Sequence, residues 1–399
     1  MQSLRELYKI GRGPSSSHTM GPSRAAHEIA AEYPTATKYR VTLYGSLAAT
    51  GRGHMTDRAL IDAFAPVECE VVFDHDTPTV EHPNMMDFEV FEGETLIKRV
   101  RAWSIGGGSV RYEGQGFEEP EEVYPHKNFS EIAKYCADED IRLCEYVERF
   151  EPGIYDYLAE VWRAMEAAID AGLKAEGELP GGAGTQRKAR YLYRQRHIDE
   201  TAQTRENREV CAFAFAVSEQ NAASGDVVTA PTCGASGVLP AVLKYMQQTK
   251  GFSDDEILRA LAAAGVIGLV IKQNASISGA ECGCQAEIGT ACSMASAALC
   301  ELHGMGIEEI EYAAEVAMEH HLGLTCDPIG GLVQIPCIER NAVAAMRAIN
   351  AFSLANFLTS TRKISFDTVV ETMYQTGKDM AAAYRETSEG GLARTYRVS

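Results

Sequence analysis

The sequence is poor in positive charge. Its 37 lysines and arginines face 56 aspartates and glutamates, a formal net charge of -19. A surface of that sign repels phosphate backbones and anionic headgroups, so neither nucleic acid nor a membrane surface is an expected partner. Long apolar runs are missing too. The longest, Ala260 to Ile271, is too short to span a bilayer. The opening MQSLRELYKIGRG puts Arg5 and Glu6 where a secretion signal needs its apolar stretch, and a cytoplasmic protein is expected. There is no low-complexity tract and no sustained repeat, which sets solenoid architectures aside.

Cysteine, in contrast, is abundant. Eleven thiols are many for a reducing compartment, where disulfides are not usually kept, and the number is odd. Cys69, Cys136, Cys144 and Cys211 are scattered. Cys233, Cys282, Cys284, Cys292, Cys300, Cys326 and Cys337 crowd into about a hundred positions. Any single one reads as a small buried hydrophobe, but the crowding points to a further role for some.

With 399 residues and 45% apolar content, the chain can fill two or three domains. Residues 1–125 alternate strand and helix signals: YRVTLYG, the helical spacing of TDRALIDAF, then CEVVFD, then MDFEVFEGETLIKRVRAWSIGGGSVRYEG as strands joined by tight turns. An α+β N-terminal domain is expected there. Long helical periodicity takes over in a connector at 126–184, which opens the α domain and ends at the breaker cluster LPGGAG. Residues 185–399 read as a mostly all-α C-terminal catalytic domain. Its helix-type segments are QRKARYLYRQRHIDETAQTRENREVCAFAFAVSEQNAASG and stretches near 235–250, 254–273, 285–303, 306–321, 338–356 and 366–386. Gly- and Pro-containing loops between these helices expose backbone N–H groups where carboxylates are held.

Three constellations can carry chemistry. Cys284, Cys326 and Cys337 are not linked by any local CxxC. Asp327-Pro328 and Pro336 exclude a continuous helix, and Gly330-Gly331 lets the chain bend around a bound object. Spacing alone does not separate these thiols from Cys282, Cys292 and Cys300, of which the last two suit a buried helix face. The second constellation is the polar loop Gly11 to Pro22, GRGPSSSHTMGP, whose hydroxyls and His18 precede a helix. It reads either as a carboxylate and proton site or as a helix cap in a solvated turn. The third, Gly45 to Asp57, offers His54 beside flexible glycines, either as a turn residue or as a catalyst.

The segments GPSSSHTMGP, YGSLAATGRGHMTD, TAPTCGASGVLPAVL, SGAECGCQAEIGTACSMA, HHLGLTCDPIGGLVQIPCIERNA and RETSEGGLA resemble, in the same order over essentially the whole chain, iron–sulfur-dependent L-serine dehydratase. The resemblance implies a β domain followed by a helical α domain, fused in one polypeptide. It implies a [4Fe–4S] cluster on Cys284, Cys326 and Cys337, with one iron left open to assist loss of the serine hydroxyl. His18 or His54 is then the base for the α-proton, provided that the first domain closes over the cluster. The loop Ser15, Ser16, Ser17 and Thr19, together with Asn341 and backbone donors from Thr232 to Gly237, is placed to hold substrate. For Asn341 a helix-start cap after Cys337 is the other reading, and His320 and His321 can simply favour a helix C-terminus. Pyruvate and ammonia are the implied products of L-serine, and a homodimer the implied assembly.

The chain departs from the family pattern at two places. It ends GGLARTYRVS, with no cysteine after Cys337 to cap the open iron. That leaves water, an exogenous anion or the Ser399 carboxylate as resting ligand. Cys233 stands where the family pattern has asparagine. Three rival readings stay open: the same elimination on L-threonine or L-cysteine; a pyridoxal-phosphate dehydratase using Gly106–Gly108 and Lys272; and a non-catalytic sensor with no iron.

Overall fold

A computed structural model of the protein describes every residue except 80, 83, 115–120, 197–198, 359–361 and 397–399. Ser399 therefore lies outside the described residues. The chain forms two compact units: Gly11–Glu119, and Met1–Ile10 together with Pro120–Ser399.

In the first unit, strict alternation of buried and half-exposed residues makes Lys38–Tyr44 a strand with one face inward. This strand, β1, joins β2 (Glu68–Asp74), β3 (Met85–Glu92), β4 (Thr95–Gly106) and β5 (Ser109–Tyr112) in the order β2-β1-β3-β4-β5. The β1–β2 pair is parallel and the others are antiparallel. A parallel pair needs a crossover, here made by α2 (Gly45–Thr50) and α3 (Thr56–Phe64), while α1 (Gly21–Glu32) precedes β1. Val41, Leu43, Phe88 and Val90 of the sheet pack with Ile29, Leu47, Leu60 and Phe64 of the three helices. Ion pairs between Arg40 and Glu70 and between Arg101 and Asp87 mark the sheet's charged face. The expected α+β region is present, with the expected tight turns at Gly93 and at Gly107-Gly108, all with positive φ.

The second unit is helical: α4 (Phe129–Asp138), α5 (Leu143–Phe150), α6 (Ile154–Lys174), α7 (Ala189–Arg194), α8 (Ala202–Ala222), α9 (Val238–Lys250), α10 (Asp254–Asn274), α11 (Gly279–Cys282), α12 (Thr290–Leu302), α13 (Ile307–Glu319), α14 (Cys337–Leu358), α15 (Phe366–Asp379) and α16 (Gly391–Thr395). At its centre α12, rich in Ala, Ser and Cys, is buried along its whole length against α9, α10, α13 and α14. Small side chains let neighbouring backbones come close on every side. Among the described residues, no helix is long and apolar enough to cross a membrane.

Some features differ from the periodicity-based expectation. The long helix-type segment after residue 185 is two helices, with α8 started afresh by Thr201, whose Oγ1 accepts from Thr204 N–H. The stretch 366–386 stops being helical at Asp379. The segment 126–184, expected as a helical connector that opens the α domain, supplies α4, α5 and α6 to the helical unit. The first ten residues, expected with the β domain, belong to this unit instead. Met1, Leu4, Leu7 and Tyr8 are buried, and the Tyr8 hydroxyl donates to Leu261 O at 2.9 Å. They reach α10 because it has glycine at 265 and 268. A Cβ at Gly265 would stand 2.4 Å from Leu4, and one at Gly268 2.7 Å from Leu7.

Helix α6 crosses α8 at Gly172, where an added Cβ would lie 2.1 Å from the carbonyl oxygen of Ala216. Backbone cannot swing away as a side chain can. Gly172→Ala is expected to cost about 1–3 kcal/mol and to lower the thermal midpoint of unfolding; an unchanged midpoint would show that the two helices separate freely.

Candidate active site

In the β unit, Ser16–Met20 forms a wide π-type turn leading into α1, started by Ser15, whose Oγ accepts from His18 N–H at 3.1 Å. Thr19 Oγ1 donates to His54 O at 2.9 Å, and Thr56 Oγ1 donates to His18 O at 2.6 Å. These reciprocal bonds join the two loops and bring His18 and His54 together, with ring centroids 4.6 Å apart. Both histidines are buried. Ser17 Oγ is 2.9 Å from His18 Nδ1, and Ser46 Oγ is 3.0 Å from His18 Nε2, so both ring nitrogens of His18 are engaged.

His54 is bonded differently. Its Nδ1 lies 3.1 Å from Thr50 O. A carbonyl only accepts, so Nδ1 carries the proton and the lone pair is on Nε2. That atom is buried with no hydrogen-bond partner among the described residues. Burial lowers the pKa of His54 to about 4. Burial, and then the charge of His54, hold His18 well below its usual value. The pair is neutral at ordinary pH.

In the helical unit, the structure brings Cys284, Cys326 and Cys337 into electrostatic range of one another. Cys284 precedes a second π-type turn, Gln285–Gly289, which runs into α12. Gly283 has φ +73, and a Cβ there would meet Leu324 O at 2.8 Å. The close approach lets Gln285 N–H donate to Leu324 O at 3.1 Å, which fixes the Cys284 turn to the loop of Cys326. From Cys326 the chain bends at Gly330 and Gly331 and returns to Cys337 at the start of α14. Burial raises all three thiol pKa values. Cys284 is pushed up to about 12, with Glu287 adding and Arg340 opposing.

Charged groups surround the thiols. Glu287 accepts from Thr232 Oγ1 at 2.7 Å between two glycines: a Cβ at Gly234 would be 3.2 Å from its Oε1, and one at Gly279 2.8 Å from its Oε2 and 3.1 Å from Cys326 Sγ. Burial raises its pKa. Glu386 is raised to about 8 by burial and by Glu287. Arg340 donates to Thr325 O at 2.6 Å and to Asp327 Oδ1 at 3.0 Å, and it also bonds Cys284. Among the described residues, no three His, Cys, Asp or Glu side chains gather closely enough to hold a single metal ion.

Asn341 is the fifth residue of α14 rather than its cap. Its amide donates to Gly234 O and Cys337 O, and its Oδ1 accepts from Gly237 N–H, so its polar atoms tie the 234–237 loop to the Cys337 turn. Cys292 and Cys300 donate to the carbonyls of Ala344 and Glu309 within the core. Cys233 is buried near Glu287. His320 and His321 place Nδ1 against the carbonyls of Val316 and Ala317 at the end of α13. Gly107-Gly108 is a hairpin turn, not the start of a helix, and Lys272 donates to Glu6 O at 2.9 Å. Glu287, Arg340 and Glu386 were not singled out in the sequence. The available signal was spacing: Glu287 follows Cys284, and Arg340 follows Cys337, by three residues, one helical turn. Nothing local pointed to Glu386.

The family model for the serine dehydratase alpha chain matches residues 93–393, and that for the beta chain matches residues 3–70. An L-serine dehydratase of Haemophilus influenzae is 42% identical over 98% of this chain and 99% of its own length. L-serine dehydratase 1 of Escherichia coli is 41% identical, with the same coverage. An L-serine dehydratase of Streptomyces coelicolor is 40% identical over 98% of both chains.

The buried histidines make stability depend on acid. An unfolded histidine titrates near 6.5, whereas folded His54 does so at about 4. Between those values the unfolded chain takes up a proton that the folded chain refuses, so stability rises with pH across this window and is lost as pH falls through it. His54→Gln is expected to flatten that slope in denaturant titrations at stepped pH. Identical slopes for variant and wild type would sink the assignment.

Proposed function

The chain belongs to the serine dehydratase family, with counterparts of the alpha and beta chains joined in one polypeptide, and from that premise we propose that it converts L-serine to pyruvate and ammonia. The observation that carries the chemistry is the thiol trio, with Cys284 and Cys326 buried and Cys337 half-buried. Three thiols kept weakly acidic by burial and by each other are favoured as thiolates when a cationic partner binds them. Thiolates are the usual protein ligands of iron–sulfur groups. In this reading a [4Fe–4S] cluster is held by Cys284, Cys326 and Cys337, and it supplies the Lewis acidity that departure of hydroxide, a poor leaving group, requires.

The remaining roles fall to the chain's own side chains. His54 is the base. Its Nδ1–H is fixed on Thr50 O, so Nε2 presents a lone pair to the α-proton of serine, and its low pKa keeps it unprotonated in neutral solution. His18, engaged at both nitrogens, holds the ring stack in place. Ser15 and Thr19 shape the loop through its backbone, Ser17 orients His18, and Ser16 is buried in the same turn. Asn341 positions the 234–237 loop and with it backbone donors suited to a carboxylate.

Protein purified without oxygen is expected to contain iron and acid-labile sulfide and to form pyruvate from L-serine. C284S, C326S and C337S should each lose iron and activity together, whereas C292S and C300S should keep both. Iron retained in the first three variants would sink the ligand assignment. His54→Gln should slow exchange of the substrate α-deuterium by about 10²–10⁴-fold, and His18→Gln by less; unaltered exchange in the His54 variant would remove it as base.

A further inference from the structure

The sheet of the β unit has two unlike faces. Val41 and Leu43 of β1 pack into the core with Phe88 and Val90 of β3, so the residues between them lie on the opposite face. That face is charged, and its charges are sorted by strand. β2 contributes Glu68 and Glu70, β1 Lys38 and Arg40, β3 Asp87 and Glu89, and β4 Arg99 and Arg101. In the spatial order β2-β1-β3-β4 the sign alternates from each strand to the next. The register turns this into lines. Glu70, Arg40, Glu89 and Arg99 stand side by side across the four strands, and one step along so do Val72, Thr42, Asp87 and Arg101.

Ion pairs within the face hold these side chains in place. Arg40 Nε donates to Glu70 at 3.0 Å, Arg99 Nε donates to Glu89 at 2.9 Å, and Arg101 grips Asp87 with two N–H groups at 2.7 Å. Capacity remains. A guanidinium has five N–H donors and a carboxylate about four acceptor positions, and the Arg40 and Arg99 side chains are 42% and 73% exposed. The shorter Val72 and Thr42, with their long neighbours, line a depression of about 580 Å³.

An alternating order of four strands complements itself. If a second copy is turned about a two-fold axis that runs parallel to the strands between β1 and β3, each line is read in reverse. Glu70 of one copy then falls over Arg99 of the other, and Arg40 over Glu89. In the neighbouring line the long Arg101 falls over the short Val72, so relief matches as well as charge. On a chain of net charge -19, a surface of average composition repels its own copy. This face attracts it.

We propose that the charged face of the sheet docks on the same face of a second copy of the chain, in an isologous two-fold contact. Strands of seven residues, four abreast, span roughly 19 by 23 Å, at the low end for specific interfaces. The association is therefore weak and depends on charge. Sedimentation of the full-length protein, purified without oxygen, tests it at about 0.01 M and about 1 M salt, between which the Debye length falls from about 30 to about 3 Å. Wild type is expected to dimerise in low salt and to dissociate in high salt. R40E/R99E makes the first line wholly acidic, and E70R/E89R makes it wholly basic. Each alone should raise the dissociation constant about a hundredfold, since like charges are then juxtaposed. Mixed in equal amounts, the two should recover a two-chain species containing one of each, which misfolded variants could not form. V72R fills the depression without changing the first line, and should weaken the dimer about tenfold. A wild type that is monomeric at both salt concentrations overturns the proposal. A dimer that persists in either double variant does so too, because it places the contact on another surface. So does a mixture that stays monomeric while both variants keep the wild-type circular dichroism, and an unchanged dissociation constant for V72R overturns it whether or not the double variants fold.

Discussion

Three thiols and two carboxyl groups lie within electrostatic range of one another and of the Arg340 guanidinium, and removing charge from water governs them all. Each acid is driven toward its neutral form by burial and again by its neighbours. Arg340 offsets part of this, but it is divided among Cys284, Asp327 and the carbonyl of Thr325. The loops bearing Cys284, Cys326 and Cys337 must therefore be held together by something other than the attraction of the groups they carry. Backbone hydrogen bonds do that: the Cys284 turn on Leu324, the Tyr384–Leu392 segment on Cys326 and Asp327, and the Asn341 amide between α14 and the 234–237 loop.

Such close placement depends on small residues. Glu287 sits between Gly234 and Gly279 because neither has a Cβ to push it away. Behind these loops α12 is buried on all sides, which fixes the π-type turn leading from Cys284. A buried helix fixes the Cys284 turn better than a surface loop could, since little backbone freedom is left in it.

The β unit solves a related problem with the opposite charge. Two histidines stacked 4.6 Å apart would repel each other if protonated, and burial keeps both neutral. The cost is sensitivity to acid. The benefit is a histidine whose tautomer is assigned by a single carbonyl contact, Thr50 O on Nδ1, so that the lone pair stays on Nε2.

The sequence by itself determined the two textures of the chain, because period-2 alternation and helical periodicity record which side of each element faces inward. It also marked the polar loop at 11–22 and the Gly- and Pro-containing loops GDVVTAPTCGASG, SISGAECGC and GLTCDPIGGLVQIPC between the helices. It could not show that residues 1–10 leave the β unit to pack on α10, since the matching feature, glycine at 265 and 268, lies far along the chain. The spacing of its thiols did not separate Cys284, Cys326 and Cys337 from their neighbours, and nothing in it named the free histidine nitrogen or pointed to Glu386. The tertiary structure brings the three thiols within range of one another and leaves Nε2 of His54 as the unbonded nitrogen among the described residues. Desolvation, tautomer and electrostatic neighbours are properties of groups brought together in space, and here most of those groups are separated by dozens of residues or more.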